Sequence, residues 1–267
     1  MELLKHWLDS SKLFNRPDSA AGLSQIQTVY AAFAICWVIF LIFDWTGIDL
    51  PRKKLSRKDT VDWHSRVISS VHAIILCVGA LGSYMELQGV TREALVKGYA
   101  VWPDVFARIF LGYLLYDTSN MLVYFKYLGD PSAIVHHALF MMAAAYVLDQ
   151  SVMAFPFIWL ALGEISTPSV NLRWHLAVLG EKESNLYLIN GLLLTFLFFS
   201  ARVICYGAGL WHLWGLRDVW AGPKEPVTNY ILVALFCLGY ALNLYWMQAI
   251  LKGAIKAVRR PTTKKQA

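Results

Sequence analysis

The sequence predicts an all-α membrane protein with seven transmembrane helices. It has 267 residues, of which 57% are hydrophobic and only 16% are charged. A water-soluble domain of this length needs more polar residues to cover its exterior. The apolar residues are grouped in segments close to the roughly 20 residues that a helix needs to cross a bilayer. The predicted spans are 26–46, 63–85, 101–125, 132–149, 151–171, 186–212 and 228–251.

The chain before the first span is mixed and polar. Residues 1–24 lack the pattern of a cleavable signal peptide, because the first long apolar segment begins only after them. Apolar side chains nevertheless fall on one helical face of this segment, which fits a short interfacial helix. A terminus without regular structure fits equally well. The residues of that face are Leu3, Leu4, Trp7 and Leu8. Residues 25–48 then contain the first transmembrane helix.

The fourth and fifth spans are short and close together. Only Asp149 and Gln150 separate them, so the sequence predicts a tight helical hairpin. Pro103, Pro156 and Pro168 fall near helix ends or inside spans. Such prolines are tolerated in membranes because neighbouring helices satisfy the freed backbone groups.

The distribution of Lys and Arg predicts the orientation. Most of these 24 residues flank the spans on one side, which we expect to be cytosolic. The N-terminus is then lumenal, and the tail 256–267 is cytosolic. Lys264 and Lys265 near the C-terminus resemble a dilysine signal for retrieval to the endoplasmic reticulum by coat machinery. The alternative is a basic tail that ends in two lysines by coincidence.

Composition also disfavours several other classes of protein. The chain is basic, with a net charge of +6, but its charges flank membrane segments instead of forming a nucleic-acid-binding face. The four cysteines lie in apolar spans and have no paired spacing, so we expect neither a disulfide scaffold nor a cysteine metal site. We expect no metal and no bound cofactor.

Polar side chains inside the spans, many of them ionisable, are the best indication of chemistry. Such groups are costly at membrane depth and usually face a protein interior or a wet cavity. Most of them lie in the predicted cytosolic half of the bilayer, and those on one span share a helical face. They therefore predict a polar, cytosol-facing cavity. Interhelical hydrogen bonds that only hold the bundle together are the alternative. The residues are Trp63, Arg66, His72, Tyr113, Asp117, His136, His137, Glu164, Thr167, Asn171 and Asn243.

Two adjacent histidines, His136 and His137, are the most informative part of this set. Their side chains diverge by about 100° on a helix. One is expected to face the cavity as a nucleophile or base while the other makes a supporting contact, and the sequence leaves open which does which. Arg202, near the middle of the sixth span, is expected to be structural, paired with a carboxylate or with backbone carbonyls.

These residues carry a resemblance to a known family. The chain from about 55 to 255 resembles a TLC domain, the membrane domain shared with ceramide synthases, and in particular the TLC domain-containing protein 4 (transmembrane protein 56-like) subgroup. The matching pieces are Trp63-x-x-Arg66-x-x-Ser69-x-x-His72, Gly112-Tyr113-x-x-Tyr116-Asp117, His136-His137, Glu164-x-Ser166-Thr167-Pro168-x-x-Asn171-x-Arg173-Trp174 and Asn243-x-x-Trp246. The resemblance implies that the last six helices form a barrel around a cavity for an acyl chain.

The resemblance also implies that His136 and His137 are catalytic. An acyltransferase-like enzyme of lipid metabolism would use acyl-CoA as substrate, with a histidine as base or acyl carrier and Asp117 keeping it basic. The other polar residues would then contact the substrate. The chain departs from the synthase pattern because no His-Asp pair follows the histidines. A lipid-binding or lipid-sensing protein without catalysis therefore remains the second hypothesis, and a trafficking adaptor is the third.

Overall fold

The structure, a computed structural model, describes residues 25–258. These residues form helices joined by short connections, with no strand in that range. The predicted interfacial segment 1–24 lies outside the described residues, as do Lys264 and Lys265. The helices are α1 Gln25–Thr46, α2 Arg57–Glu86, α3 Arg92–Lys97, α4 Val101–Val123, α5 Phe125–Leu128, α6 Pro131–Gln150, α7 Pro156–Leu162, α8 Thr167–Leu179, α9 Asn185–Phe198, α10 Tyr206–Gly215, α11 Arg217–Trp220 and α12 Val227–Val258.

Within residues 25–258, five helical segments are long and apolar enough to cross a membrane. Each coincides with a predicted span, so the prediction of an all-helical membrane protein is confirmed. Long apolar side chains on their outer faces are exposed, as expected for surfaces that contact lipid. The five segments are Ile26–Thr46, Arg57–Glu86, Pro131–Gln150, Asn185–Gly215 and Val227–Ile255.

The predicted span 151–171 is displaced and broken. Residues 151–155 form a connection in which Ser151 and Met153 have a positive φ, so the predicted two-residue hairpin turn is wrong. Helix α7 begins at Pro156, whose fixed φ suits a first helical position. A 3₁₀ turn, Gly163–Ser166, then joins α7 to α8, which continues to Leu179. The predicted span 101–125 corresponds to α4.

Two ends of the bundle are distinguished by their contacts. At one end, called the Arg66 end, Arg66 of α2 contacts Asn171 of α8. At the other, called the Trp220 end, the Trp220 carbonyl accepts a hydrogen bond from Asn229 of α12. A hydrophobic cluster fills the Trp220 end and closes it. Its largest buried members include Trp159, Tyr206, Leu213, Trp220, Leu232 and Phe236.

Exposed ion pairs fasten the short helices at the Trp220 end. Arg92 of α3 makes two hydrogen bonds with the Asp218 carboxylate of α11, and these hold the pKa of Asp218 below its usual value. Lys97 donates to Glu225, and this hydrogen bond raises the pKa of Lys97. Exposed pairs of this kind add little stability. The hydrophobic cluster beneath them therefore contributes more to holding the helices together at this end.

Helix α1 packs closely on α4. A Cβ added to Gly112 would lie 2.4 Å from the Val29 carbonyl oxygen, so only glycine permits this approach of the two backbones. Trp37 of α1 also donates a hydrogen bond to Ser119 of α4, at 3.0 Å. The first span is therefore joined to the bundle and is not a separate anchor.

Candidate functional site

A cavity lies inside the bundle between the two ends. The space enclosed between its walls is about 30 Å³, enough for one or two water molecules, and the wider crevice that includes its open mouth is about 430 Å³. Its polar wall is formed by side chains from four different segments: His136, Glu164, Arg202 and Asn243. Its apolar wall is formed by Leu76, Phe110, Phe140, Phe157, Leu160, Ala161 and Tyr206.

Arg202 is the centre of the polar wall. One guanidinium nitrogen, Nη2, lies 2.9 Å from Glu164 Oε1 and 3.1 Å from Thr167 Oγ1. Nη1 lies 3.4 Å from Asn243 Oδ1, and Nε lies 2.9 Å from the Gly163 carbonyl oxygen. This confirms the prediction that Arg202 pairs with a carboxylate and a backbone carbonyl. The ion pair also balances the charge of the wall.

The 3₁₀ turn makes the Gly163 carbonyl available to Arg202. The Thr167 N–H donates to the Glu164 carbonyl. In a continuous α-helix it would donate to the Gly163 carbonyl instead. Pro168 has no N–H, so the regular helix cannot continue through this turn with all its hydrogen bonds. The freed Gly163 oxygen accepts from Arg202 and from the Ser166 hydroxyl. The Ser-Thr-Pro sequence thus explains the local geometry.

A π-helical segment presents Arg202 to this turn. It extends from Phe199 to Cys205 between α9 and α10. π-helical turns are rare and often occur at functional sites. Here the altered hydrogen bonding leaves the Val203 carbonyl oxygen 3.2 Å from the Tyr240 hydroxyl of α12, which donates to it.

The two histidines have different surroundings, as predicted. His136 lines the cavity, and its ring packs against Phe140 and Trp246 with centroid distances of 4.6 and 5.1 Å. Its Nδ1 atom is buried without a hydrogen-bond partner among the residues that the structure describes. A buried nitrogen without a partner costs about 1–3 kcal/mol, which a bound polar group or a water molecule would relieve.

His137 makes the supporting contacts. Its Nε2 lies 3.6 Å from Asp117 Oδ2, and its Nδ1 lies 3.4 Å from the Thr118 hydroxyl. Ser65 of α2 donates to the other Asp117 oxygen at 3.4 Å. Asp117 is thus next to His137 and not in contact with His136. The histidine that faces the cavity is the one without a carboxylate in contact.

His72 and Tyr113 form a stacked pair close to the site. Their ring centroids are 3.7 Å apart and the planes are nearly parallel. Glu164 lies within electrostatic range of both His72 and His136. Neither ring of the stacked pair lines the cavity, although Phe110, which contacts His72, does.

The remaining predicted site residues connect helices at the Arg66 end. Arg66 donates to Asp62 at 2.8 Å and to Asn171 at 3.2 Å, and Asn171 donates back to the Arg66 carbonyl. Trp63 donates to the Asp49 carbonyl, and its ring packs against the His175 ring at a tilt of 40°. In this structure these side chains join α2, α8 and the connection 47–56. Their predicted contact with a substrate stays a prediction.

The cavity therefore brings together three of the predicted residues, His136, Glu164 and Asn243, with Thr167 directly behind them. From the sequence, Arg202 was expected to have only a structural role. A charged residue in the middle of a span nevertheless often has a function. The sequence also did not predict the aromatic wall of Phe140, Phe157 and Tyr206, because apolar residues in an apolar span carry no distinguishing pattern.

Between residues 25 and 258, no three His, Cys, Asp or Glu side chains are grouped as metal ligands.

Together, the helices and the polar wall describe a helical membrane protein with a partly polar cavity inside its bundle. A family model described as TLC domain matches residues 62–252, and the chain belongs to the TLC domain family. This family is associated with lipid metabolism and homeostasis.

Several curated relatives have the same domain name. TLC domain-containing protein 4 of Homo sapiens is 32% identical over 211 residues, which cover 76% of this chain and 78% of that protein. TLC domain-containing protein 4-B of Xenopus laevis is 29% identical, covering 77% and 79%. TLC domain-containing protein 4 A of Dictyostelium discoideum is 24% identical, covering 79% and 81%. No solved structure matches the chain significantly.

Proposed function

We propose that this protein binds an acyl chain or a single lipid tail in the cavity, within the membrane of the endoplasmic reticulum. In this proposal the chain crosses the membrane seven times, and the helices of residues 55–255 form a barrel around the ligand. Binding of this kind serves lipid handling or sensing whether or not a reaction follows.

The observation that carries the proposal is the amphipathic division of the cavity along the bundle axis. The polar groups Glu164 and Arg202 lie on one level. Phe157 lies about 10 Å closer to the Trp220 end along α7, and Tyr206 lies about one turn closer along α10. An apolar chain would enter the aromatic part by displacing its side chains, and its carbonyl or headgroup would meet His136 and the Arg202–Glu164 pair.

The distribution of charge supports an orientation with the Arg66 end in the cytosol. Lys53, Arg57, Arg66 and Arg173 lie there, and positively charged flanks favour the cytosolic side. The polar wall would then lie on the side from which acyl-CoA or a cytosolic lipid carrier approaches. The C-terminal Lys264 and Lys265 would be in the same compartment as the coat machinery.

Enlarging Ala161 tests the binding proposal. Ala161 lines the cavity and is 3% exposed, so Ala161→Leu and Ala161→Phe should fill it in two steps. We expect the amount of lipid that copurifies with the protein to fall in the same order, because the occupied volume is no longer available. Mass spectrometry of extracted lipid, normalised to protein, measures this.

Val78→Phe is the matched control. Val78 is on α2, as is the cavity residue Leu76, but its side chain is 53% exposed on the outer face. It should leave the copurified lipid unchanged. Equal lipid content in folded Ala161→Phe and wild type would contradict binding in this cavity.

The position of His136 favours acyl transfer from acyl-CoA as a second candidate function. An imidazole nitrogen of His136 would attack the thioester carbonyl carbon, and the carbon–sulfur bond would break with its electron pair leaving on the CoA sulfur. The imidazole proton would pass to that thiolate, which gives free CoA and an acyl-imidazole. An acceptor hydroxyl, amine or water would then take the acyl group and return a proton to the ring.

A further inference from the structure

The connection 47–56 between α1 and α2 is held in place at the Arg66 end. The Asp49 carboxylate lies 2.8 Å from Nδ1 of His64, a fully buried residue of α2. Further along the connection, Lys53 donates a hydrogen bond to the Val178 carbonyl oxygen of α8 at 2.9 Å. These contacts fix the connection against both helices, so the surface that it forms exists before any ligand binds.

This connection and the first turn of α2 form a basic surface. Only three carboxylates lie in the same stretch of chain, residues 44–59. Asp44 pairs with Arg57, and the Asp49 side chain is 7% exposed and faces His64. The third, Asp59, accepts a hydrogen bond from the Ser56 hydroxyl at 2.7 Å. The basic residues outnumber these carboxylates, and all of them are exposed: Arg52, Lys53, Lys54, Arg57 and Lys58.

Three of these cations have no carboxylate partner. Between residues 25 and 258, no ion pair joins Arg52, Lys54 or Lys58 to an acidic side chain. One helical turn beyond Lys58 is Asp62, but this carboxylate is bonded to Arg66 at 2.8 Å. The three charges are therefore available to an anion outside the protein.

Two large apolar side chains lie next to the basic surface. Trp45 is 89% exposed and Ile48 is 77% exposed. Trp45 is one residue before the end of the first membrane-spanning segment, Ile26–Thr46. Tryptophan at the end of a span is typical of the boundary between acyl chains and headgroups. The cations that follow within a few residues therefore lie at the level of the headgroup phosphates.

We propose that Arg52, Lys54 and Lys58 bind the headgroups of anionic phospholipids in the leaflet at the Arg66 end. Trp45 and Ile48 contact the acyl part of the same lipids. Clusters of Lys and Arg that directly follow a transmembrane helix attract such headgroups. The surface lies on the outside of the bundle and shares no residue with the cavity, so this inference goes beyond the proposed function and does not depend on it.

The triple variant Arg52→Gln, Lys54→Gln, Lys58→Gln tests the proposal. Glutamine keeps a polar side chain at each position and leaves the contacts of Asp49 and Lys53 intact, so the connection should keep its structure. Each cation near a membrane surface contributes roughly fivefold to the binding of anionic lipid. We therefore expect affinity for phosphatidylserine to fall by about 100-fold, whereas affinity for zwitterionic phosphatidylcholine should not change.

A second triple variant, Lys182→Gln, Lys224→Gln, Lys252→Gln, is the matched control. Its three lysines are exposed and lie outside the stretch 44–59. The control therefore lowers the net charge by the same amount without altering the proposed surface. It should bind phosphatidylserine with the affinity of wild type.

The experiment measures fluorescence anisotropy of acyl-labelled phosphatidylserine and phosphatidylcholine with the full-length protein in neutral detergent. Loss of phosphatidylserine binding in the first triple variant alone, together with weaker binding by wild type at high salt, would support the proposal. Equal affinity in wild type and both variants would overturn it, as would an equal loss in both variants. A wild type that does not distinguish the two lipids would also overturn it. None of these results bears on the lipid in the cavity, which the Ala161 variants test.

Discussion

Arg202→Ala is expected to lower the free energy of unfolding by about 3–5 kcal/mol, because it leaves the Glu164 carboxylate without its partner inside the membrane. The Arg202 and Glu164 side chains are only 11% and 21% exposed, so water cannot replace the lost contact efficiently. The variant also removes the hydrogen bonds to Gly163 and Thr167. Thermal unfolding in lipid nanodiscs should show a midpoint about 10 °C lower.

The double variant Arg202→Met with Glu164→Gln separates charge from shape. It fills a similar volume without a charged group, and replacing both members of a buried pair is often close to neutral. We expect it to recover most of the stability that Arg202→Ala loses. If Arg202→Ala unfolds at the wild-type temperature, the ion pair does not hold the broken helix and the π-helical segment together.

His136→Asn is expected to have the largest effect on acyl transfer. Asparagine has a similar size and keeps a polar end in the cavity, but it has no basic ring nitrogen. If His136 is the nucleophile or base, incubation with palmitoyl-CoA should release free CoA at least about 100-fold more slowly than in wild type. The covalent acyl adduct should also disappear from the intact mass spectrum, while copurified lipid remains.

His137→Asn should have a smaller effect, because His137 contacts Asp117 and Thr118 and does not line the cavity. The comparison distinguishes a reacting residue from one that positions its neighbour. Loss of the adduct in His137→Asn and its retention in His136→Asn would reverse the assignment. Wild type without an adduct and without CoA release would favour the non-catalytic binding protein.

The family and the helical architecture could be predicted from the sequence for physical reasons. The length of an apolar segment reflects the thickness of the bilayer, and ionisable residues in such segments are too costly to be incidental. The divergence of His136 and His137 also followed from helical geometry alone. Only the structure determined which of them faces the cavity, because that depends on how α6 is rotated against α12.

The broken helix around Glu164 was only partly predictable. Pro168 indicated an irregularity, but hydropathy did not indicate that α8 continues to Leu179, since Arg173 and His175 are polar. These residues are accommodated by contacts with other elements: Arg173 with the Tyr187 carbonyl, and His175 with the Trp63 ring. A hydropathy pattern cannot predict such contacts, because they join segments that are far apart in the sequence.

The apolar part of the site could not be predicted at all. Phe157 and Tyr206 differ from their neighbours only in the direction that their side chains take in the assembled bundle. Polar residues in an apolar helix can be identified from the sequence. The shape of an apolar surface cannot, because it depends on tertiary packing.

An acyl chain inside the bundle can be located by photo-crosslinking with a palmitic acid analogue that carries a diazirine at its terminal carbons. If the cavity holds the chain, we expect tandem mass spectrometry to find the label on Phe157, Leu160 or Tyr206. Labelling confined to outward-facing residues such as Val71, Val78 and Leu81 would contradict it, because the chain would then lie only in the surrounding lipid.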